Sequence, residues 1–139
     1  MPTADQIQEF FDTSLNGIVA GIRQDGTPHL SPNWFSYDGE HIYVSTKRDR
    51  AKYRVFTRDP RVVFLVDDPV PRRYVSLRGT VSFREDVENV LPMFRRIREL
   101  VGVAVPSDED FLQFLRDDDR VLLVITPDGP IESWDTWGF

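Results

Sequence analysis

Hydrophobic and polar positions change their period several times along the chain, and each change marks an element. Gln6, Phe10, Phe11 and Leu15 recur at roughly helical spacing, so Thr3–Thr13 reads as a short amphipathic helix. Asn16–Arg23 reads as a strand, and Gln24-Asp25-Gly26-Thr27 as a hairpin turn with glycine where φ must be positive. Pro28–Tyr37 follows as a second strand, closed by the Asp-Gly signal of Tyr37-Asp38-Gly39-Glu40, and His41–Thr46 as a third. These three are expected to form an antiparallel meander. Asp49 has the chemistry of an N-cap for a helix running to about Arg58, which Asp59-Pro60 would end because a residue before proline avoids helical angles.

Arg61–Val66 is apolar almost throughout and reads as a buried strand, followed by a loop over Asp67–Pro71. Arg73–Glu85 alternates strictly, with Val75, Leu77, Gly79, Val81 and Phe83 on one face, and Gly79 suggests a bulge or bend. Val87, Val90, Leu91, Phe94, Ile97, Leu100 and Val101 keep helical spacing, although Pro92 moves the start of that helix later or kinks it. Ser107 with Asp110 resembles a capping pair for another helix, and Arg120–Thr126 is the last full strand. The sum is one domain over residues 1–139: mainly β with flanking helices, a six-stranded antiparallel barrel.

Composition narrows the chemistry. A chain of 139 residues, 40% hydrophobic, can bury one core. With no cysteine there is no disulfide, thiolate metal site or thiol nucleophile. Nothing apolar is long enough to cross a bilayer, and Met1–Gln8 lacks a signal-peptide pattern, so a cytoplasmic location is expected. His29 and His41 have no ligand partners at metal spacing, Asp108–Asp110 and Asp117–Asp119 lack the glycine of a calcium loop, and there is no glycine-rich phosphate loop.

Charge changes the picture most. The net charge of −6 argues against a nucleic-acid binder, yet residues 47–78 carry ten Lys/Arg against four acids, leaving the remainder at −12. The helix expected after Asp49 also has the wrong sign at its start. Helix N-termini favour acids, whereas Lys47, Arg48, Arg50 and Lys52 crowd this one. A bound phosphate or carboxylate reverses that cost, because backbone N–H groups and basic side chains would converge on it. Ala51 leaves room for close approach, and Ser45 and Thr46 bring hydroxyls to the same end. On the neighbouring strand Pro32 marks a distorted stretch, Asn33 offers a donor and an acceptor, and Trp34 is either a flat wall for a ring or core packing.

Ser31–Pro69 resembles the pyridoxamine 5′-phosphate oxidase-like split-barrel superfamily, most closely its branch that uses the deazaflavin coenzyme F420. The resemblance rests on Ser31-Pro32-x-Trp34-Phe35, Ser45-Thr46, Arg50-Ala51-Lys52 and Arg58-Asp59-Pro60-Arg61. It implies a split-barrel homodimer with cofactors in clefts between subunits. Arg50 and Lys52 would hold the cofactor phosphate, Ser45, Thr46 and Lys47 would lie near the ribityl–phosphate portion, and Pro32, Asn33 and Trp34 along the ring. It implies hydride transfer between reduced coenzyme F420 and an unsaturated organic acceptor, with no side chain required as acid or base. An FMN-dependent reductase or oxidase, and a non-catalytic carrier of a flavin, deazaflavin or haem, remain as alternatives. The C-terminal Glu132–Phe139 lacks the arginine-rich segment of true pyridoxamine phosphate oxidases, and Trp134, Trp137 and Phe139 would cap a partner's cleft or, preferably, seal the dimer interface.

Overall fold

A computed structural model describes residues 1–139. Helix α1 (Ala4–Thr13) begins at Thr3, whose side chain and that of Gln6 close a reciprocal capping box. Strands β1 (Gly17–Ile22) and β2 (Pro28–Asn33) form the first hairpin, with Gly26 at φ +86°. Strands β3 (Ser36–Tyr37) and β4 (Ile42–Lys47) form the second, with Gly39 at φ +95°. Then come α2 (Ala51–Arg58), β5 (Arg61–Pro69), β6 (Arg72–Arg84), α3 (Leu91–Leu100), α4 (Asp108–Asp117), β7 (Arg120–Pro127) and β8 (Asp135–Trp137). No helix is long and apolar enough to cross a membrane.

The sheet runs β2-β1-β5-β6-β7-β4-β3, all antiparallel, with β8 added to β6. Its two terminal strands are consecutive in the chain, separated only by Trp34 and Phe35. Three peptide steps from Asn33 to Ser36 span at most about 11 Å, so the sheet must curl until its edges nearly meet. The expected meander is therefore broken. Residues 28–37 pair with β1 at their beginning and with β4 at their end, and no ladder joins β2 to β4. This split, together with β8, gives eight strands where six are expected.

Alternation along the strands builds two cores. Inside the curl, Ile7, Phe10 and Phe11 of α1 meet Phe35, Phe64 and Leu77 from the sheet. Outside it, α3 and α4 lay Phe94, Ile97, Phe111 and Leu115 over Tyr43, Leu122 and Val124. Strand β7 is covered on both faces, which explains its unbroken apolar run. Strand β5 reads almost as apolar but is buried on one face only, with Val63 40% exposed. Its outer face continues across β1 and β2 in two cross-strand rows, Val63–Ala20–Leu30 and Leu65–Ile18–Pro32.

Two further expectations change, on β5 and at the start of α2. Strand β5 extends to Pro69, so most of the expected loop pairs with Arg72–Tyr74. Asp49 is not the N-cap of α2; Arg50 is, and no side chain caps that end. The later helix start expected from Pro92 holds: α3 begins at Leu91 with Pro92 in its first turn, where its missing N–H is harmless. The C-terminal aromatics serve their own chain: Trp134 Nε1 donates to Gly129 O (3.1 Å), and Phe139 packs edge-on against Phe10 at 5.3 Å. Trp137 alone of the three stays mostly exposed.

Gly79 marks a close approach rather than a bulge. The register with β5 is continuous through it, the ladder with β7 begins at it, and an added Cβ would lie 2.7 Å from the backbone oxygen of Thr126. Backbone oxygen in a ladder cannot step aside, so Gly79→Ala should lower stability by about 1–3 kcal/mol in urea unfolding without changing the slope. An unchanged midpoint would contradict this packing.

Candidate functional site

The break in residues 28–37 makes one wall of a cleft. Pro32, Asn33 and Trp34 stand where the chain leaves one sheet edge for the other, and Ser45 lies beside them on β4. Phe35 turns into the core while Trp34 remains 48% exposed, so the ring-wall reading of Trp34 fits its position and the core reading does not. The opposite wall comes from α3 and α4, and the enclosed volume is about 310 Å³. Asn33 Nδ2 donates to Ser31 O (2.9 Å) and Ser31 Oγ (3.1 Å), which orients the amide and leaves its oxygen as the acceptor available to a ligand.

The other residues singled out in the sequence lie around the start of α2. Gly21 lets that helix lie against β1: a Cβ there would fall 2.7 Å from Val55 and 2.8 Å from Phe56. The tight turn Arg50 N→Lys47 O (3.1 Å) then brings Arg50, Ala51 and Lys52 to the end of β4. The first turn contains no acid. Lys52 is half-buried, and burial first, then the charges of Arg50 and Arg120, hold its pKa below the ordinary value. Neither Arg50 nor Lys52 has a carboxylate partner, although the chain forms ten ion pairs elsewhere.

Two polar atoms nearby are also unsatisfied. Thr46 is 2% exposed, and its Oγ1 has no hydrogen-bond partner; nor does the buried Nδ1 of His29. Burial, then Arg23 and Lys52, lowers the pKa of His29. Unpartnered cations at an uncapped helix start suit an anion, because backbone N–H groups and basic side chains there can converge on one negatively charged oxygen cluster.

The two bases just before Arg50 are already paired. Lys47 Nζ lies 3.3 Å from Asp118, and Arg48 pairs with Glu85 (3.3 Å) and with Asp119. Lys47 faces Arg120 directly across the β4–β7 ladder, and the Asp118 carboxylate bridges the two, with Arg120 Nε at 2.7 Å. Sequence reading missed Arg120, whose Nη1 comes within 3.5 Å of Ser45 Oγ and which lines the cleft. It also missed the whole helical wall. Only the long-range pairing of β4 with β7 brings Arg120 here, and no local pattern encodes that.

Fold and site together define a split-barrel protein whose cleft and basic helix start suit a phosphate-bearing, flavin-type cofactor. Residues 3–131 match the family model described as pyridoxamine 5′-phosphate oxidase, and the chain belongs to that family. Among solved structures it is similar to an F420 reductase, with 28% identity over 88% of this chain and 93% of the other, at a TM-score of 0.70. A conserved hypothetical protein of Mycobacterium tuberculosis, Rv2991, is 27% identical over 99% of this chain and 85% of its own, at 0.83. The haem storage protein HutZ of Vibrio cholerae shares the fold at 18% identity, covering 94% of this chain and 93% of that one, at 0.71.

The charge of Lys52 carries a pH signature. Its pKa is depressed in the folded chain, so below that lowered value the protonated side chain costs stability, and the cost fades as pH rises toward the ordinary value of 10.5. Lys52→Met should therefore stabilise the ligand-free chain at pH 7, by at most about 1 kcal/mol given solvent screening, with the gain gone above that ordinary value. Inorganic phosphate should raise the melting temperature of the wild type more than that of the variant. Destabilisation at pH 7 with an undiminished phosphate response would contradict the assignment.

Proposed function

We propose that the chain is an F420-dependent oxidoreductase that transfers a hydride between the reduced deazaflavin and an unsaturated small organic acceptor. The observation that carries this reading is the pair Arg50 and Lys52, unpartnered at an uncapped helix start next to the cleft of Pro32, Asn33 and Trp34. Arg50 and Lys52 would hold the cofactor phosphate, with Ala51 permitting close approach. Ser45 and Thr46 would serve the adjoining ribityl hydroxyls, and Lys47 would remain tied to Asp118 at the edge of that region. Pro32, Asn33 and Trp34 would line the ring. The deazaflavin supplies the hydride chemistry when bound; the chain's part is to hold, orient and desolvate.

Similarity to an F420 reductase over nearly the whole chain favours the deazaflavin over FMN. The number of bases does not, because Lys47 and Arg48 are neutralised within the chain. A second copy of the chain would cover the outer rows Val63–Ala20–Leu30 and Leu65–Ile18–Pro32, which end at the cleft residue Pro32. Leu30 at 62% exposure is otherwise a poorly placed side chain for a sheet face.

Fluorescence titration of the purified protein with coenzyme F420 and with FMN decides between cofactors. The deazaflavin should bind more tightly, and Lys52→Glu should weaken it roughly 10- to 100-fold, the loss of one charge-assisted contact, with the fold intact. Sedimentation of the same samples should give a pair of 16.2 kDa chains. Tight FMN with no deazaflavin binding would overturn the reading. Failure of the bound reduced coenzyme to turn over with any of a panel of enones would favour a carrier.

A further inference from the structure

We propose that Arg98, on the helical wall of the cleft, is a carboxylate anchor, and that the acceptor carries a carboxylate on an apolar, planar body. This deepens the reading above and depends on it only in taking the cleft as the acceptor's place.

Arg98 lies one turn after Phe94 on α3 and is half-buried in the cleft lining. Its guanidinium sits 5.0 Å from the ring centroids of both Phe111 and Phe114, which are themselves stacked at 6.4 Å with 12° between planes. Contact with both rings holds the guanidinium in place while its N–H groups have no side-chain partner. Every neighbouring arginine of this wall is neutralised: Arg95 by Asp108 (2.5 Å), Arg96 by Asp12 (3.9 Å), Arg116 by Glu88 (3.5 Å) and Arg120 by Asp118 (2.7 Å). Arg98 has neither an ion pair nor a side-chain hydrogen bond.

A part-buried cation with a fixed, unused fork of donors matches a planar, singly charged carboxylate, which it can hold through two parallel hydrogen bonds. A phosphate dianion would call for further free bases, and the other arginine lining the cleft, Arg120, is already offset by Asp118. The rest of the helical wall is apolar, with Phe94, Ile97, Phe111, Phe114 and Leu115, while Asn16, Asn33 and Ser45 are the other polar residues of the lining. Arg98 would thus fix which end of the acceptor points toward the helices and which toward the ring wall.

Isothermal calorimetry with 2-naphthoate and its methyl ester tests this on the whole chain, first without coenzyme. Naphthoate should bind at least tenfold more tightly than the ester. Arg98→Met, which keeps the stem over Phe111 and Phe114, should remove that preference while moving the ester's affinity less than twofold. Arg98→Lys, which keeps the charge, should restore part of it and serves if the Met variant fails to fold. Equal losses for acid and ester, or no preference in the wild type, would overturn the proposal by reducing Arg98 to packing. The titration is then repeated with coenzyme F420 at saturation. Retained naphthoate binding supports an acceptor subsite. Displacement, together with weaker coenzyme binding by Arg98→Met, would overturn it by assigning the carboxylate to the coenzyme's glutamate tail. If the coenzyme does not bind at all, the proposed function fails while the first titration still judges Arg98.

Discussion

One run of chain, Pro28–Tyr37, has to serve both edges of a single sheet. It pairs with β1 through Asn33 and with β4 from Ser36, and only Trp34 and Phe35 lie between. Backbone reach then forces the sheet to curl, and the side chains at the break take opposite duties. Phe35 enters the core, meeting Phe64 edge-on at 5.0 Å and Phe11 at 5.6 Å, which secures the seam that no ladder closes. Trp34 stays outside. Pro32, which has no N–H to give a ladder, is tolerated because it stands on an edge strand. The cleft exists because the sheet is split there, so the feature that solves the fold also positions the candidate site.

Electrostatics separates that site from its surroundings. The basic segment contains two populations that the sequence cannot distinguish. Lys47 and Arg48 are bridged to Asp118, Asp119 and Glu85 and act within the structure. Arg50 and Lys52 are left beside a helix start with no acid and no cap, an arrangement that costs the ligand-free chain stability and is relieved by an anion. Lys52 and His29, both shifted toward the neutral form by burial and nearby positive charge, register the same unfavourable field. A structure selected for stability alone would place an aspartate at Arg50.

Much of the architecture was legible. The helix over Thr3–Thr13, both Asp-Gly turns and the alternation of Arg73–Glu85 follow from local rules that tertiary contacts do not override. Other features escaped because their cause is distant. Arg61–Val66 looks buried on both faces, yet only one face enters the core. Gly79 looks like a bulge, yet its cause is the Thr126 carbonyl across the sheet. Asp49 looks like a cap, yet the turn at Lys47 shifts the helix start by one residue and gives the position to Arg50. Of the site, Pro32, Asn33, Trp34, Ser45, Arg50 and Lys52 could be named from spacing and sign. Arg98 and Arg120 could not, because only the packing of α3 and α4 over the β4–β7 ladder brings them to the cleft. Of the C-terminal aromatics, Trp134 and Phe139 pack on their own core, with Arg73 at 4.9 and 5.8 Å from the rings of Phe10 and Phe139, while Trp137 stays exposed.

On the proposed reading an anion completes the start of α2 while a ring lies along Pro32–Trp34. A crystal structure of the protein with coenzyme F420 tests it most directly. The phosphate should be found contacting Arg50, Lys52 and the first backbone N–H groups of α2, with the deazaflavin beside Trp34. A coenzyme bound with its phosphate elsewhere, and the start of α2 left to solvent, would contradict the account.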